Sequence, residues 1–169
     1  MLYLLDANVL ITAQNKYYPI DRVPEFWEWL QHEASAGKVK MPREILDEVK
    51  AGRKEKDLLL DWMKVPENFK ALELDEDADM ALVQRVINVG YSPTLTDVQI
   101  EERGRDPFLA AYALAGRERC VVTVEVRQPS KAPQNRKLPD ACDKLGVPCI
   151  DPFEFNRRLG FRTSWRKPT

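Results

Sequence analysis

Acidic side chains in this sequence stand where strands of a parallel sheet are expected to end. Asp6 follows the apolar run 2–5 and precedes Asn8 and a second apolar run, 9–11. Because α/β proteins bind ligands at the carboxyl edge of a parallel sheet, Asp6 is a candidate ligand residue. Further acids recur in similar settings downstream, and carboxylates with little histidine nearby suit a hard cation such as Mg²⁺ or Mn²⁺. This chemistry favours a metal-dependent phosphodiester enzyme.

Each acid also has a plain structural interpretation when taken alone. Asp6 and Asp106 could cap the helices that follow them, since Asp accepts hydrogen bonds from free backbone N–H groups. Glu48 lies about two turns into a predicted helix, where a charged face turned to water is the ordinary case. Glu125 follows a predicted strand by two residues with no obvious helix to cap. The metal-site interpretation therefore depends on the four acids jointly.

The cysteine and histidine content narrows the chemistry. The chain has one histidine, His32, and three cysteines with no CxxC pair. Reduced core thiols are favoured over a disulfide framework, and a zinc site with Cys or His ligands is disfavoured. A single histidine also excludes the two-histidine acid/base scheme of metal-free ribonucleases. A nuclease with this sequence is expected to work through a metal ion.

Other enzyme classes fit the sequence less well. A phosphatase of the haloacid-dehalogenase type needs a second Asp two residues after the first, where this chain has Asn8. No GxGxxG follows the first strand, which disfavours a dinucleotide enzyme. A hydrolytic triad would have to recruit His32, which lies in a predicted helix and is expected at the surface.

Charge is unevenly distributed along a chain whose net charge is −1. The segment from Arg117 onward holds twelve Lys or Arg and six Asp or Glu, so the rest of the chain is acidic. An acidic part and a basic part suit a site that holds cations and receives a polyanion. The alternative is a solvated surface on which the charges are unevenly distributed by chance. No apolar run approaches the roughly 18 residues of a membrane span, and Asp6 interrupts any signal-like segment. We expect a cytoplasmic protein with no membrane association.

Apolar runs alternate with helical patterns along the chain. Strands are predicted at 2–5, 39–41, 69–74, 120–123 and 147–150. Helices are predicted after Asp6, at 24–37, from 42 to Gly52, at 58–63, at 80–90, at 94–102 within a loop, at 106–116, from 139 and at 153–159. Strands that are apolar throughout and alternate with helices indicate a parallel sheet covered on both faces. We expect an α/β fold, a three-layer α/β/α sandwich with a mostly parallel sheet of about five strands, in one domain at 1–159 followed by a basic tail at 160–169.

Four short motifs in order resemble those of PIN-domain nucleases. They are Leu4-Leu5-Asp6-Ala7-Asn8-Val9-Leu10, Pro42-Arg43-Glu44-Ile45-Leu46-Asp47-Glu48-Val49 with Gly52, Asp106-Pro107-Phe108-Leu109-Ala110-Ala111-Tyr112-Ala113, and Val121-Val122-Thr123-Val124-Glu125. The chain further resembles a PIN-like subfamily in which a Thr-x-Glu element precedes a basic loop and a Leu-Pro-Asp-x-Cys segment, here 138–142. Their order and spacing match over almost the whole chain.

The resemblance implies a Mg²⁺- or Mn²⁺-dependent endoribonuclease, the toxin of a toxin–antitoxin pair, with a small antitoxin protein as partner and a possible homodimer. The metal ligands that the resemblance implies are Asp6, Glu48, Asp106 and Glu125. Glu125 stands where the broader family more often has Asp, so the second ion and activity itself are open, and a PIN-like RNA- or protein-binding module without catalysis is the alternative.

The remaining site residues are polar or basic. The resemblance implies that Asn8 and Thr123 orient ligands or the attacking water, and Glu44, one turn before Glu48, is the reserve acid. Basic side chains of the loop after Glu125 are expected to hold RNA phosphates, giving affinity without sequence choice: Arg127, Lys131, Arg136 and Lys137.

Overall fold

Four short parallel strands form the centre of the protein in a computed structural model, which describes residues 1–51 and 57–167. The strands are β1 (Leu2–Leu5), β2 (Val39–Lys40), β3 (Arg119–Val122) and β4 (Cys149–Ile150). Their order across the sheet is β2-β1-β3-β4, and all neighbours pair in parallel. The α/β class and the parallel sheet flanked by helices are confirmed.

Ten α-helices lie in the described part of the chain. They are α1 (Ala7–Thr12), α2 (Pro24–Ser35), α3 (Arg43–Lys50), α4 (Leu58–Lys64), α5 (Pro66–Leu72), α6 (Met80–Arg85), α7 (Asp97–Glu102), α8 (Asp106–Ala115), α9 (Leu138–Leu145) and α10 (Pro152–Arg158). Two π-helical segments, Ala13–Tyr17 and Val86–Tyr91, and a 3₁₀ turn, Pro133–Asn135, complete the helical structure. Gly52, the predicted end of the third helix, lies outside the described residues.

The described residues show four strands where about five were predicted, because the segment 69–74 is mainly helical. Pro66 opens α5, where a fixed φ and a missing N–H suit the first helical turn. Only Glu73 pairs with the sheet, through a single parallel bridge to Met41. The Leu74 N–H donates to the Met41 carbonyl at 2.9 Å. The fifth strand is thus reduced to one residue beside β2.

The sheet is buried because its side chains are apolar on both faces. Leu4, Leu5, Val121 and Val122 are fully buried. The alanine-rich helix α8 buries Ala110 and Ala111 in the same core. Small side chains at these positions permit close packing of the helix, which brings its first residue, Asp106, to the carboxyl edge of the strands. No helix of the described chain is long and apolar enough to cross a membrane.

The residues after α10 also contact the core. The Phe161 ring centroid lies 4.8 Å from that of Trp29 and 5.3 Å from that of Phe26, both in α2. Trp165 lies 5.0 Å from His32, which is exposed. The predicted boundary between the domain and a basic tail, at residue 159, stays a prediction.

Candidate functional site

Asp6 and Thr123 follow two adjacent strands at the same edge of the sheet. The chain runs from β1 to β2 in one direction and from β3 to β4 in the other, so the strand order reverses between β1 and β3. Ligands of open α/β sheets bind at such a reversal. The pairing of Leu5 with Val122 places the next residues, Asp6 and Thr123, side by side. The sheet topology therefore puts the first predicted acid at the expected ligand edge.

The Thr123 hydroxyl connects the two strand ends. It donates to Asp6 Oδ2 at 2.7 Å and accepts from the Glu125 backbone N–H at 3.1 Å. Asn8 Nδ2 lies 3.3 Å from the same hydroxyl oxygen, and Asn8 Oδ1 accepts from the Val124 N–H at 3.2 Å. Thr123 and Asn8 therefore fix the Asp6 carboxylate and the backbone after β3, and their predicted role in orienting ligands or the attacking water stays a prediction.

Thr123→Val is expected to destabilise the protein by about 2 kcal/mol at pH 7.5, since a buried hydrogen bond to a carboxyl group is lost while the volume is retained. Urea unfolding measures the change. Thr123→Ser keeps the hydroxyl and serves as the matched variant, with a smaller loss. Equal stability of Thr123→Val and the unaltered protein would show that this hydroxyl is not structural.

Asp106 lies at the start of α8 and faces the second π-helical segment. Tyr91, the last residue of that segment, has its hydroxyl 3.5 Å from Asp106 Oδ2. The Arg103 guanidinium lies 6.0 Å from the Tyr91 ring centroid and exerts the main favourable charge on the Asp106 carboxylate. Burial, followed by the charges of Asp6, Glu125 and Glu48, raises the pKa of Asp106 well above its ordinary range.

Glu48 lies on the exposed side of α3 and faces the turn before α8. A Cβ atom placed on Gly104, whose φ is +56°, would lie 3.9 Å from Glu48 Oε1. Partial burial raises the pKa of Glu48, and the positive charge of Arg105 opposes that change. Glu48 is therefore the side chain of this set that is free to turn toward a ligand.

The four acids act on one another electrostatically. Burial, with smaller contributions from Glu48 and Glu125, raises the pKa of Asp6 to about 6, and the Thr123 hydrogen bond opposes this rise. Carboxyl groups that share a site resist ionisation in this way until a cation compensates them. In residues 1–51 and 57–167, however, no three Asp, Glu, His or Cys side chains converge closely enough to hold a metal ion as they stand. The fold thus brings the acids to one region without a finished coordination sphere.

Both oxygens of Glu125 are occupied by the start of α9. Oε1 accepts from Lys137 Nζ at 3.1 Å, and Oε2 accepts from the Leu138 N–H at 2.8 Å. The helix that Glu125 caps begins thirteen residues later, which explains why no helix was evident beside it in the sequence. Its longer side chain reaches this helix, so Glu125 influences the other acids through its charge and is not turned toward them.

Glu44, the reserve acid, points to another network. The Tyr112 hydroxyl lies 3.4 Å from Glu44 Oε1 and 3.2 Å from the Glu76 carbonyl oxygen. Arg119 closes the network through two hydrogen bonds to the Glu76 carboxylate, at 2.7 and 2.9 Å. Glu44 is absent from the charges that act on Asp6 and Asp106. Of the two candidate acids on α3, Glu44 and Glu48, the geometry favours Glu48.

Most cations of the predicted phosphate loop already have partners within the protein. Arg127 makes two hydrogen bonds to Asp143, at 2.8 and 3.1 Å, and Lys137 pairs with Glu125. Arg136 donates to the carbonyl oxygens of Gly90 and Tyr91, both at 2.9 Å. Lys131 alone of the four is exposed with no partner in the described part of the chain. The loop cations therefore hold the loop and the Tyr91 segment in place.

Arg136→Gln is expected to destabilise the protein by about 2 kcal/mol, because two hydrogen bonds from a charged group to partly buried carbonyls are lost. Chemical denaturation at pH 7.5 measures this loss. Lys131→Gln removes the same charge from the same loop and is expected to leave the stability unchanged within about 0.5 kcal/mol. If the two variants unfold at the same denaturant concentration, the assignment of Arg136 as a structural residue fails.

Several residues of this region were not identified from the sequence. Tyr91, Arg103 and Arg105 contact or face the acids, and Asp140 accepts from the Gln128 N–H with both carboxylate oxygens, at 2.9 and 3.0 Å. The signal for Asp140 was its place in the Leu-Pro-Asp-x-Cys segment. The signal for Arg103 and Arg105 was their position just before Asp106, in a stretch with little periodicity.

Comparison with known families gives one extended match. The profile of the family described as "Domain of unknown function (DUF4411)" matches residues 3–163, which includes all four acids and all of the sheet except the first residue of β1. No curated protein and no solved structure matches the chain. The match covers far more than half of the sequence, and the chain belongs to the DUF4411 family.

Proposed function

We propose that this protein is a Mg²⁺- or Mn²⁺-dependent endoribonuclease with a PIN-like, three-layer α/β/α arrangement. The observation that carries the proposal is the placement of Asp6 and Asp106 at the reversal point of a parallel sheet, where the charges of Glu48 and Glu125 act on both. Perturbed carboxyl groups at a ligand-binding edge are typical of functional sites. The resemblance to PIN-domain nucleases supplies the reaction, hydrolysis of RNA phosphodiester bonds.

The donor set fits a hard cation in its chemistry. Every candidate ligand is a carboxylate, and burial is the main cause of the raised pKa values of Asp6, Asp106 and Glu48. Asp6 and Asp106 would hold the ion from the strand edge and the start of α8, and Glu48 would complete the set directly or through water. Glu125 is held by Lys137 and the Leu138 N–H, so it would add negative charge near the ion without binding it directly.

Other residues of the chain fix the positions of the acids and of the backbone around them. When bound, a divalent ion stabilises charge on phosphoryl oxygens and makes a bound water more acidic. Thr123 fixes the Asp6 carboxylate, and Asn8 holds the backbone after β3. The Tyr91 hydroxyl contacts Asp106, and the charge of Arg103 offsets part of the charge of its carboxylate. The geometry thus favours two rigid acids and one adjustable acid, Glu48.

The toxin role follows from the resemblance to toxin-type PIN-like proteins. Expression of the active chain is then expected to arrest growth of a bacterial host, and co-expression of its antitoxin to restore growth. A small antitoxin protein and a homodimer are the partners that we propose on this basis, with a location in the cytoplasm.

A PIN-like binding module without catalysis is the second candidate function. Two observations favour it: Glu125 is engaged with α9, and no three acids converge in the described residues. Such a module would bind RNA or a protein and leave RNA intact with every divalent metal. Metal dependence of cleavage therefore separates the two functions.

Incubation of the purified protein with labelled RNA tests the proposal. We expect cleavage of single-stranded or structured RNA with Mg²⁺ or Mn²⁺ and none with EDTA. Binding of RNA without cleavage, across several substrates and both metals, would favour the binding module and overturn the nuclease assignment.

A further inference from the structure

The cations that act on Asp106 and Glu48 are not those of the basic loop. Arg103 acts on Asp106 and Arg105 acts on Glu48, and both precede α8. Three of the four loop cations are committed to partners within the chain. The segment 103–105 lies against Glu48, since a Cβ atom placed on Gly104 would be 3.9 Å from Glu48 Oε1, and it carries the positive charges that act on Glu48 and Asp106.

The two arginines differ in what they can contact. The Arg103 side chain is only 15% exposed, and its Nη1 donates to the Arg136 carbonyl at 3.0 Å. Arg105 is exposed, and no hydrogen-bond acceptor engages its guanidinium within the described residues. Arg103 is thus a structural residue, whereas Arg105 presents its donors to solvent.

The Arg105 guanidinium packs against an aromatic ring of α8. Its Cζ atom lies 5.6 Å from the centroid of the Phe108 ring, a cation–π distance. Arg105 directly precedes α8, a helix of ten residues whose first residue is Asp106, and its side chain makes no capping hydrogen bond there. Contact with an aromatic ring leaves the N–H groups of a guanidinium available, and their fork matches two phosphate oxygens.

An exposed cation near the acids would reduce the repulsion between their carboxylates and an RNA phosphate. An RNA phosphate that enters a region of four carboxylates is repelled by them, and an exposed arginine beside Glu48 offsets part of that repulsion. The loop residue Lys131 is also unpaired, but it is not among the groups that act on the acids.

We propose that Arg105 binds a phosphate of the RNA backbone at the acid site and is the main residue that positions the substrate there. This inference rests on the proposed function, because it names the residue through which the same site holds its polyanionic substrate. The contact is to phosphate and confers affinity without choice of base.

Salt-dependent binding of a fluorescein-labelled, single-stranded RNA dodecamer tests this contact. All variants carry Asp6→Asn so that bound RNA stays intact, and binding is measured by fluorescence anisotropy with Mn²⁺ between 50 and 300 mM KCl. For single strands, one phosphate contact adds about 0.7 to the slope of log affinity against log salt. We expect Arg105→Gln to lower the slope by about 0.7 and to weaken binding about fivefold at 0.1 M salt. Arg105→Lys should keep the slope and recover part of the affinity.

Arg85→Gln is the matched control, since Arg85 is exposed on α6 and is not among the charges that act on the acids. A slope for Arg105→Gln equal to that of Arg85→Gln would overturn the inference. The nuclease assignment is tested separately, by RNA cleavage with Mn²⁺ in protein that retains Asp6. Cleavage there, together with an unchanged slope for Arg105→Gln, would overturn only the role of Arg105. If the slope of log affinity against log salt falls in Lys131→Gln and not in Arg105→Gln, the phosphate contact lies on the basic loop. That result would also overturn the role of Arg105.

Discussion

Asp6→Asn and Asp106→Asn are each expected to slow RNA cleavage at saturating Mn²⁺ by about 10²- to 10³-fold. Asn keeps the shape of the side chain but removes a charge that would hold the cation, and the loss of a few kcal/mol from the transition state corresponds to that factor. Both side chains are fixed by contacts within the chain, Asp6 by Thr123 and Asp106 near Tyr91. Initial rates with a labelled RNA, measured over a range of Mn²⁺ concentrations, give the change.

Helix α3 provides matched controls for this experiment. Glu48→Gln is expected to lower the rate, while Asp47→Asn, one residue earlier on the same helix and exposed, is not. Glu44→Gln should also retain the rate, because Glu44 faces Tyr112. Full cleavage by both Asp6→Asn and Asp106→Asn would end the nuclease assignment, and loss of cleavage in Glu44→Gln but not Glu48→Gln would exchange the roles of the two glutamates.

Mn²⁺ is expected to stabilise the protein strongly above pH 7 and weakly at pH 5. The pKa of Asp6 is about 6 in the folded chain and 3.8 for an ordinary Asp, so the folded state binds the proton more tightly. In metal-free protein, protonation of Asp6 therefore adds on the order of 2 to 3 kcal/mol to the free energy of unfolding below pH 4. This contribution is lost as the pH rises through 6. Since a bound cation requires the ionised carboxylate, Mn²⁺ restores that stability at high pH, by about 2.7 kcal/mol at a hundredfold excess over its dissociation constant.

Urea unfolding with EDTA or with Mn²⁺, at pH 5.0 and 7.5, measures both effects. Asp6→Asn is the control: without metal it should be more stable than the unaltered protein at pH 7.5 and close to it below pH 4, and Mn²⁺ should stabilise it little. Metal-free stability that rises between pH 5 and 7.5, with no gain from Asp6→Asn, would show that Asp6 does not carry an uncompensated charge.

The sequence was sufficient to predict the sheet centre because local signals there agree with the tertiary structure. The apolar runs that became β1 and β3 are short, continuous and bounded by polar residues, and the helix that begins at Asp106 has both a proline start and a glycine end. Parallel pairing then places Asp6 and Thr123 together. The position of Asp6 at a strand end could be predicted from the sequence, whereas its hydrogen bond to Thr123 follows from the register of the two strands.

The sequence was insufficient where partners lie far apart along the chain. The segment 69–74 has apolar residues compatible with a strand or a helix, and packing of α5 against α2 and α4 decides for the helix. The basic loop was assigned to phosphate binding by charge, yet Arg136 meets carbonyl oxygens 45 and 46 residues away. Glu125 likewise finds its partner on α9. Composition reports that charges are present, whereas only the fold determines which of them are already neutralised.

The shortness of the outer strands limits how another polypeptide can attach. β2 and β4 each have two residues, and the single bridge at Glu73 occupies part of the outer side next to β2. Such edges offer few free N–H and C=O groups, so an extended peptide gains little by continuing the sheet. A protein inhibitor of this molecule is therefore expected to recognise side chains on its helices and loops, and its own binding segment to be helical rather than extended.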